Sequence, residues 1–181
     1  MKVSKVLQGL AVCVISSLSV AGVAQAQNAQ VRDGFWVSGG LGFGLLGCED
    51  CSGEREGGVS GGISLGGTVS PRFLIGIGAS GWSKSEGGAR VTVGLVDARI
   101  RFYPRAKGGL FLTGGVGLGT IEGSWGGFSA TETGPGVILG LGYDWRVSPN
   151  ASVTPFWNGY GMKNDNIDAN VGQLGIAVTL H

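Results

Sequence analysis

The sequence predicts an all-β fold, an eight-stranded antiparallel transmembrane β-barrel wound as an up-and-down meander. Three observations predict it. Apolar residues recur with a period of two through most of eight strand-length stretches, which is the period of a strand. The opposite face is small rather than charged: the chain has 38 glycines among 181 residues and only 14% charged residues, against about 7% glycine and about 25% charged residues in ordinary soluble domains. After residue 26 no run of 18 apolar residues occurs, so a membrane crossing must be made by strands and not by a helix.

Residues 1–26 read as a signal peptide. A basic start (Met1, Lys2, Lys5) precedes an apolar stretch from Val6 to Val23, and Ala24-Gln25-Ala26 supplies a small-residue cleavage site. Gln8, Ser16, Ser17 and Ser19 dilute the apolar stretch below what a spanning helix needs. Cys13 lies in the middle of the stretch and not at its end, unlike a lipidation site. Cleavage would leave residues 27–181 as a single barrel domain. Loss of Lys2 and Lys5 takes the formal charge from +1 to −1. A near-neutral chain without clustered Lys and Arg is not a nucleic-acid binder.

The strands follow in order. In the first, Phe35, Val37, Leu41 and Phe43 oppose Trp36, Ser38, Gly40, Gly42 and Gly44. The second sets Val59, Ile63, Leu65 and Val69 against Ser60, Gly62, Ser64, Gly66 and Thr68. In the third, Phe73, Ile75, Ile77 and Ala79 oppose Leu74, Gly76, Gly78 and Ser80. The fourth sets Val96, Ala98, Ile100 and Phe102 against Asp97, Arg99 and Arg101. The fifth sets Leu110, Leu112, Val116 and Leu118 against Thr113, Gly115, Gly117 and Gly119, with a bulge expected near Thr113 and Gly114. The sixth sets Val137, Leu139, Leu141, Tyr143 and Trp145 against Gly136, Gly140, Gly142, Asp144 and Arg146. The seventh, Ala151 to Met162, has no clean facing. The eighth sets Leu174, Ile176, Val178 and Leu180 against Gln173, Gly175, Ala177 and Thr179.

Short Pro-bearing connections at Ser70-Pro71-Arg72, Tyr103 to Lys107 and Val147 to Asn150 alternate with Gly-rich or polar ones near Gly47 to Gly58, Ser83 to Ala89, Gly123 to Ala130 and Lys163 to Asn166. With the N-terminus in the periplasm, the first set becomes periplasmic turns and the second faces outside, the asymmetry of outer-membrane barrels. A soluble sandwich would carry charge on its outer faces. A closed barrel instead gives the greasy face to lipid, fills a narrow lumen with the small face and leaves no strand edge unpaired. Aromatic residues gather near strand ends, Phe35, Trp36, Phe73, Phe102, Tyr103, Tyr143, Trp145 and Phe156 on one side and Trp82 and Trp125 on the other. They read as interfacial girdles, while the parity of Trp36 and Trp82 points those two into the lumen.

On these residues the chain resembles the small outer-membrane β-barrel family that includes OmpX, the OmpA membrane domain and the opacity proteins. The likeness covers nearly all of the chain after residue 26. It is strongest from Gly140-Leu141-Gly142-Tyr143-Asp144-Trp145-Arg146-Val147 through Ser148-Pro149-Asn150 into Ser152-Val153-Thr154-Pro155. The apolar residues at 174, 176, 178 and 180 resemble the family's C-terminal assembly signal, although the family usually ends in an aromatic residue and this chain ends Leu180-His181. The resemblance implies the cell outer membrane as location, outer-membrane lipid as surroundings and the barrel-assembly machinery as a partner of the C-terminal strand. It names no host or surface ligand.

Motifs that suggest chemistry lack their structural context. Gly42-Phe43-Gly44-Leu45-Leu46-Gly47 and Gly76-Ile77-Gly78-Ala79-Ser80-Gly81 match a dinucleotide fingerprint, but no helix opens after either. Gly62-Ile63-Ser64-Leu65-Gly66 matches a nucleophile elbow, yet the chain's single histidine is His181. No cofactor is expected, and no catalytic residue. Cys48-Glu49-Asp50-Cys51 reads first as a disulfide closing an outer loop, with free thiols or a metal as the other readings.

Five charges carry inward parity: Asp97, Arg99 and Arg101 on the fourth strand, Asp144 and Arg146 on the sixth. Facing lipid would cost about 2–4 kcal/mol for Arg at midplane, so they are expected in the lumen, paired across it as an ionic plug. The functional reading is a non-enzymatic outer-membrane protein with a structural or surface-interaction role, since eight strands enclose a lumen that side chains nearly fill. The alternative is a narrow channel or carrier for small or apolar ligands, made possible by inward glycines.

Overall fold

The computed structural model describes residues 32–48, 55–165 and 167–181. Nine strand segments run in order: β1 (Phe35–Cys48), β2 (Glu56–Ser70), β3 (Phe73–Glu86), β4 (Ala89–Phe102), β5 (Leu110–Trp125), β6 (Phe128–Tyr143), β7 (Trp145–Ser148), β8 (Ala151–Lys163) and β9 (Asp168–Leu180). Consecutive segments pair antiparallel, except β6 with β7. β1 closes onto β9, and both β6 and β7 pair with β8. Segments β6 and β7 are thus one barrel strand interrupted at Asp144, and the architecture is a closed eight-stranded barrel. Apolar residues of outward parity, such as Leu41, Val96, Val116, Leu139 and Ile176, are exposed on its wall. In water such a surface would drive aggregation; in lipid it is the required one.

The β5 register runs without a break from Leu110 to Trp125, so the bulge expected near Thr113 is absent. Leu110, Leu112, Val116 and Leu118 already share one parity and need no correction. Register shifts occur instead between Thr68 and Ser70 and between Arg146 and Ser148, at the mouths of the Pro-bearing turns. β8 has a definite facing: Ser152, Thr154, Tyr160 and Met162 point inward and are buried.

The strand ends that bear Arg32, His181 and the Pro-bearing turns form the terminal end of the barrel, and the other end is distal. Two connections expected as loops at the distal end are hairpins. β3 and β4 meet at Gly87-Gly88 (φ 58° and 83°), and β5 and β6 at Gly126-Gly127 (φ 56° and 87°). Two-residue turns with positive φ at both positions match the strand twist and favour glycine. The strands consequently extend further than a bilayer crossing needs. At about 3.4 Å per residue, the 16 residues of β5 span about 54 Å, or about 41 Å along the normal at about 40° of tilt, against an apolar band of about 25 Å.

Candidate functional site

The lumen is built in three layers. Distally, Leu46, Trp82, Val93, Leu95, Ile138, Tyr160, Ala169 and Val171 form one buried apolar cluster. The Trp82 indole N–H donates to the Gly44 carbonyl at 2.9 Å, and a Cβ at Gly44 would stand 2.6 Å from that indole. Glycine at this position is what admits the ring. At the terminal end, Trp36, Leu74, Tyr103 and Phe111 form a second apolar cluster. The polar layer lies between them.

Asp97, Arg99, Arg101, Asp144 and Arg146 all point inward and are buried, but the structure does not bring them into one network paired across the lumen. Arg99 pairs with Asp97 along the same strand, with Nε–Oδ1 at 2.9 Å and Nη2–Oδ2 at 2.6 Å, and Nη2 also donates to Ser80 Oγ at 3.1 Å. Residues two apart on a strand share a face, so the acid nearest to Arg99 is its own neighbour. Arg101 meets no carboxylate within ion-pair distance among the described residues. Its Nη2 donates to Ser64 Oγ at 3.1 Å, and its guanidinium lies 4.6 Å from the Trp36 ring and 4.9 Å from the Phe111 ring.

Asp144 belongs to a separate cluster that closes the terminal mouth. Its carboxylate accepts from Tyr103 Oη and Thr154 Oγ1, both at 2.8 Å, with Arg32 Nη2 at 3.7 Å and His181 Nε2 at 3.8 Å. Arg32 also lies 3.4 Å over the Tyr103 ring and donates to the carbonyls of Ala106 and Gly108. Burial and then the Asp144 carboxylate push the Tyr103 phenol up, so it remains a donor. Arg146 donates to the Pro149 carbonyl at 2.5 Å. The sequence reading did not single out Arg32 or His181 for this cluster. Both carry the inward parity of β1 and β9 extended past the strand ends, which is the signal that finds them.

The aromatic residues divide differently from the expected girdles. Phe35, Phe73 and Trp145 are exposed at the terminal end. Tyr103 is buried as part of the mouth, and Phe156 lines the lumen cavity. Trp125 flanks the Gly126-Gly127 turn opposite Phe128, beyond the apolar band, because outward residues above Leu118 and Pro135 are polar: Thr120, Glu122 and Ser124 on β5, Ser129, Thr131 and Thr133 on β6. Trp125 is 72% exposed and Phe128 79%. Cys48 ends β1, whereas Cys51 and the pairing of the two cysteines lie outside the described residues, as does the signal segment 1–26.

The β5–β6 hairpin also leaves a strand edge open. β6 pairs with β8 only from Gly136 opposite Met162 downward, while Phe128 to Pro135 pair with β5 alone. The Thr133 carbonyl accepts from Asn164 Nδ2 at 3.3 Å on the side away from β5. Backbone groups alternate along a strand, so Ser129 and Thr131 direct theirs the same way, and no ladder partner meets them among the described residues.

A family model for the outer membrane protein beta-barrel domain matches residues 10–179. Among solved structures, the neisserial surface protein A (NspA) is 16% identical with a TM-score of 0.63, over 83% of this chain and 99% of that one. Ail, the attachment invasion locus protein of Yersinia pestis, is 14% identical with a TM-score of 0.61, over 83% of this chain and 100% of that one. The Ail structure in complex with the heparin analogue sucrose octasulfate gives the same values. A search of curated proteins gave no match.

Proposed function

The chain belongs to the outer membrane protein β-barrel domain family, residing in the outer membrane with its apolar wall in lipid, and from that premise we propose that it is a non-enzymatic envelope protein that works by surface interaction at its distal end. The observation that carries this reading is the β5–β6 hairpin, which places two exposed aromatic rings beyond the apolar band, beside a strand edge whose Ser129 and Thr131 meet no ladder partner among the described residues. An extended segment of a partner protein suits such an edge: main-chain hydrogen bonds supply affinity and the flanking side chains select. With the terminal end in the periplasm, this hairpin faces outside.

The channel or carrier alternative needs a continuous path, and the buried apolar cluster around Trp82 and Ile138 weighs against it. Cleavage after Ala26 and recognition of the C-terminal strand by the barrel-assembly machinery belong to the same reading, supported by the exposed Leu174, Ile176, Val178 and Leu180. The test is conductance in planar bilayers together with adhesion of cells displaying the protein. Wild type is expected to leave the bilayer at baseline, and Trp125→Ser with Phe128→Ser to reduce adhesion while the barrel stays folded. Steady ion conduction, or adhesion indifferent to both substitutions, would overturn the proposal.

A further inference from the structure

Arg101 is 6% exposed, and two of its three guanidinium nitrogens, Nε and Nη1, have no acceptor. Its Cζ lies over the rings of Trp36 and Phe111, and Nη2 donates to Ser64. Its neighbour Arg99 has the Asp97 carboxylate to itself, and Asp144 acts on Arg101 only coulombically, without a direct ion pair, while it serves Tyr103, Thr154, Arg32 and His181, so neither acid neutralises Arg101 at contact. A guanidinium does not shed its proton inside a protein, and an isolated buried ion is costly. A counter-ion would resolve the conflict.

A cavity of about 40 Å³ adjoins both arginines, with Ser64, Thr113, Asn158 and Gln173 among its lining residues and no carboxylate in the lining. Gln173 is buried, and its Nε2 also lacks an acceptor. The unsatisfied groups here are thus N–H donors beside a positive charge. A buried water needs at least about 10–15 Å³ of such space, so the cavity has room for a monatomic anion with a water or two.

We propose that this cavity is a halide site, a single chloride or bromide held against Arg101 and Gln173. The buried apolar clusters on either side of it favour capture during folding over later entry. The proposal is independent of the surface-interaction reading, because it concerns the lumen and not the distal hairpin.

The experiment refolds the protein into detergent in sodium bromide or in sodium gluconate at equal ionic strength. It compares urea unfolding midpoints and looks for bromine anomalous scattering in crystals grown from the bromide sample. The expected result is a midpoint that rises and saturates with bromide, an anomalous peak beside Arg101, and no bromide dependence in Arg101→Met. Should Arg101→Met fail to refold, Gln173→Leu retains the cation but loses one donor, and the half-saturating bromide concentration should rise about tenfold. Equal midpoints without a peak would overturn the site and leave only water there. A bromide effect of equal size in wild type and in the variant that refolds would overturn it too, since it reports salt acting on the surface.

Discussion

Arg99 closes its ion pair on Asp97, two residues earlier on β4, with 2.6 Å between Nη2 and Oδ2, and not on an acid across the lumen. The pair is therefore local to one strand and needs no partner strand to supply the acid.

Asp97→Asn should destabilise the barrel by about 3–5 kcal/mol, the usual cost of removing one partner from a buried pair, because Arg99 would keep an amide oxygen and Ser80 as acceptors but no counter-charge. Replacing both, Asp97→Leu with Arg99→Met, should recover part of that loss, since two apolar side chains leave no stranded charge. Urea unfolding in detergent reads both changes. A double variant less stable than Asp97→Asn would contradict the argument.

Arg101→Ala removes a cation that makes no direct ion pair among the described residues, so no carboxylate loses a contact partner and Asp144 loses only a longer-range coulombic one. Bilayer conductance should stay at baseline in this variant, because the distal apolar cluster lies outside the altered layer. Open-channel currents from Arg101→Ala would show that the charged layer, and not the apolar one, seals the lumen.

Two glycines of β5 should respond in opposite ways to alanine. A Cβ at Gly117 would overlap the Val96 carbonyl oxygen of the neighbouring strand, whereas one at Gly123 meets nothing within 4 Å. Gly117→Ala should therefore lower refolding yield and the unfolding midpoint sharply, while Gly123→Ala stays near wild type in the same assay.

The closed ladder, with β1 on β9, should resist SDS at room temperature and change its gel mobility after boiling, because no free edge within the membrane lets it unfold strand by strand. Identical mobility before and after heating, with a helical circular dichroism spectrum, would exclude the barrel.

Cys48 and Cys51 are proposed to pair after export. The loop they close is short, so the gain should fall below the about 3 kcal/mol of a 15-residue loop, and reduction should leave heat modifiability intact. Thiol labelling without prior reduction would show the pair to be open.

The sequence by itself determined the barrel, because a strand's period of two leaves no choice of face. Once Val96, Ala98, Ile100 and Phe102 go to lipid, Asp97, Arg99 and Arg101 must go inward, and the same parity carried past the strand ends points Arg32 and His181 to the terminal mouth. What parity does not contain is the height at which side chains from different strands meet, which follows from register. Register alone decided that Asp144 meets Tyr103, Thr154 and Arg32 and not Arg101. It also decided that Arg101 lies between Trp36 and Phe111. Hairpin geometry decided the distal end, where paired glycines with positive φ turned expected loops into strands and lifted Trp125 and Phe128 clear of the apolar band. Facing is a local property of the chain, whereas pairing depends on contacts between residues far apart in sequence, and only the closed barrel fixes those.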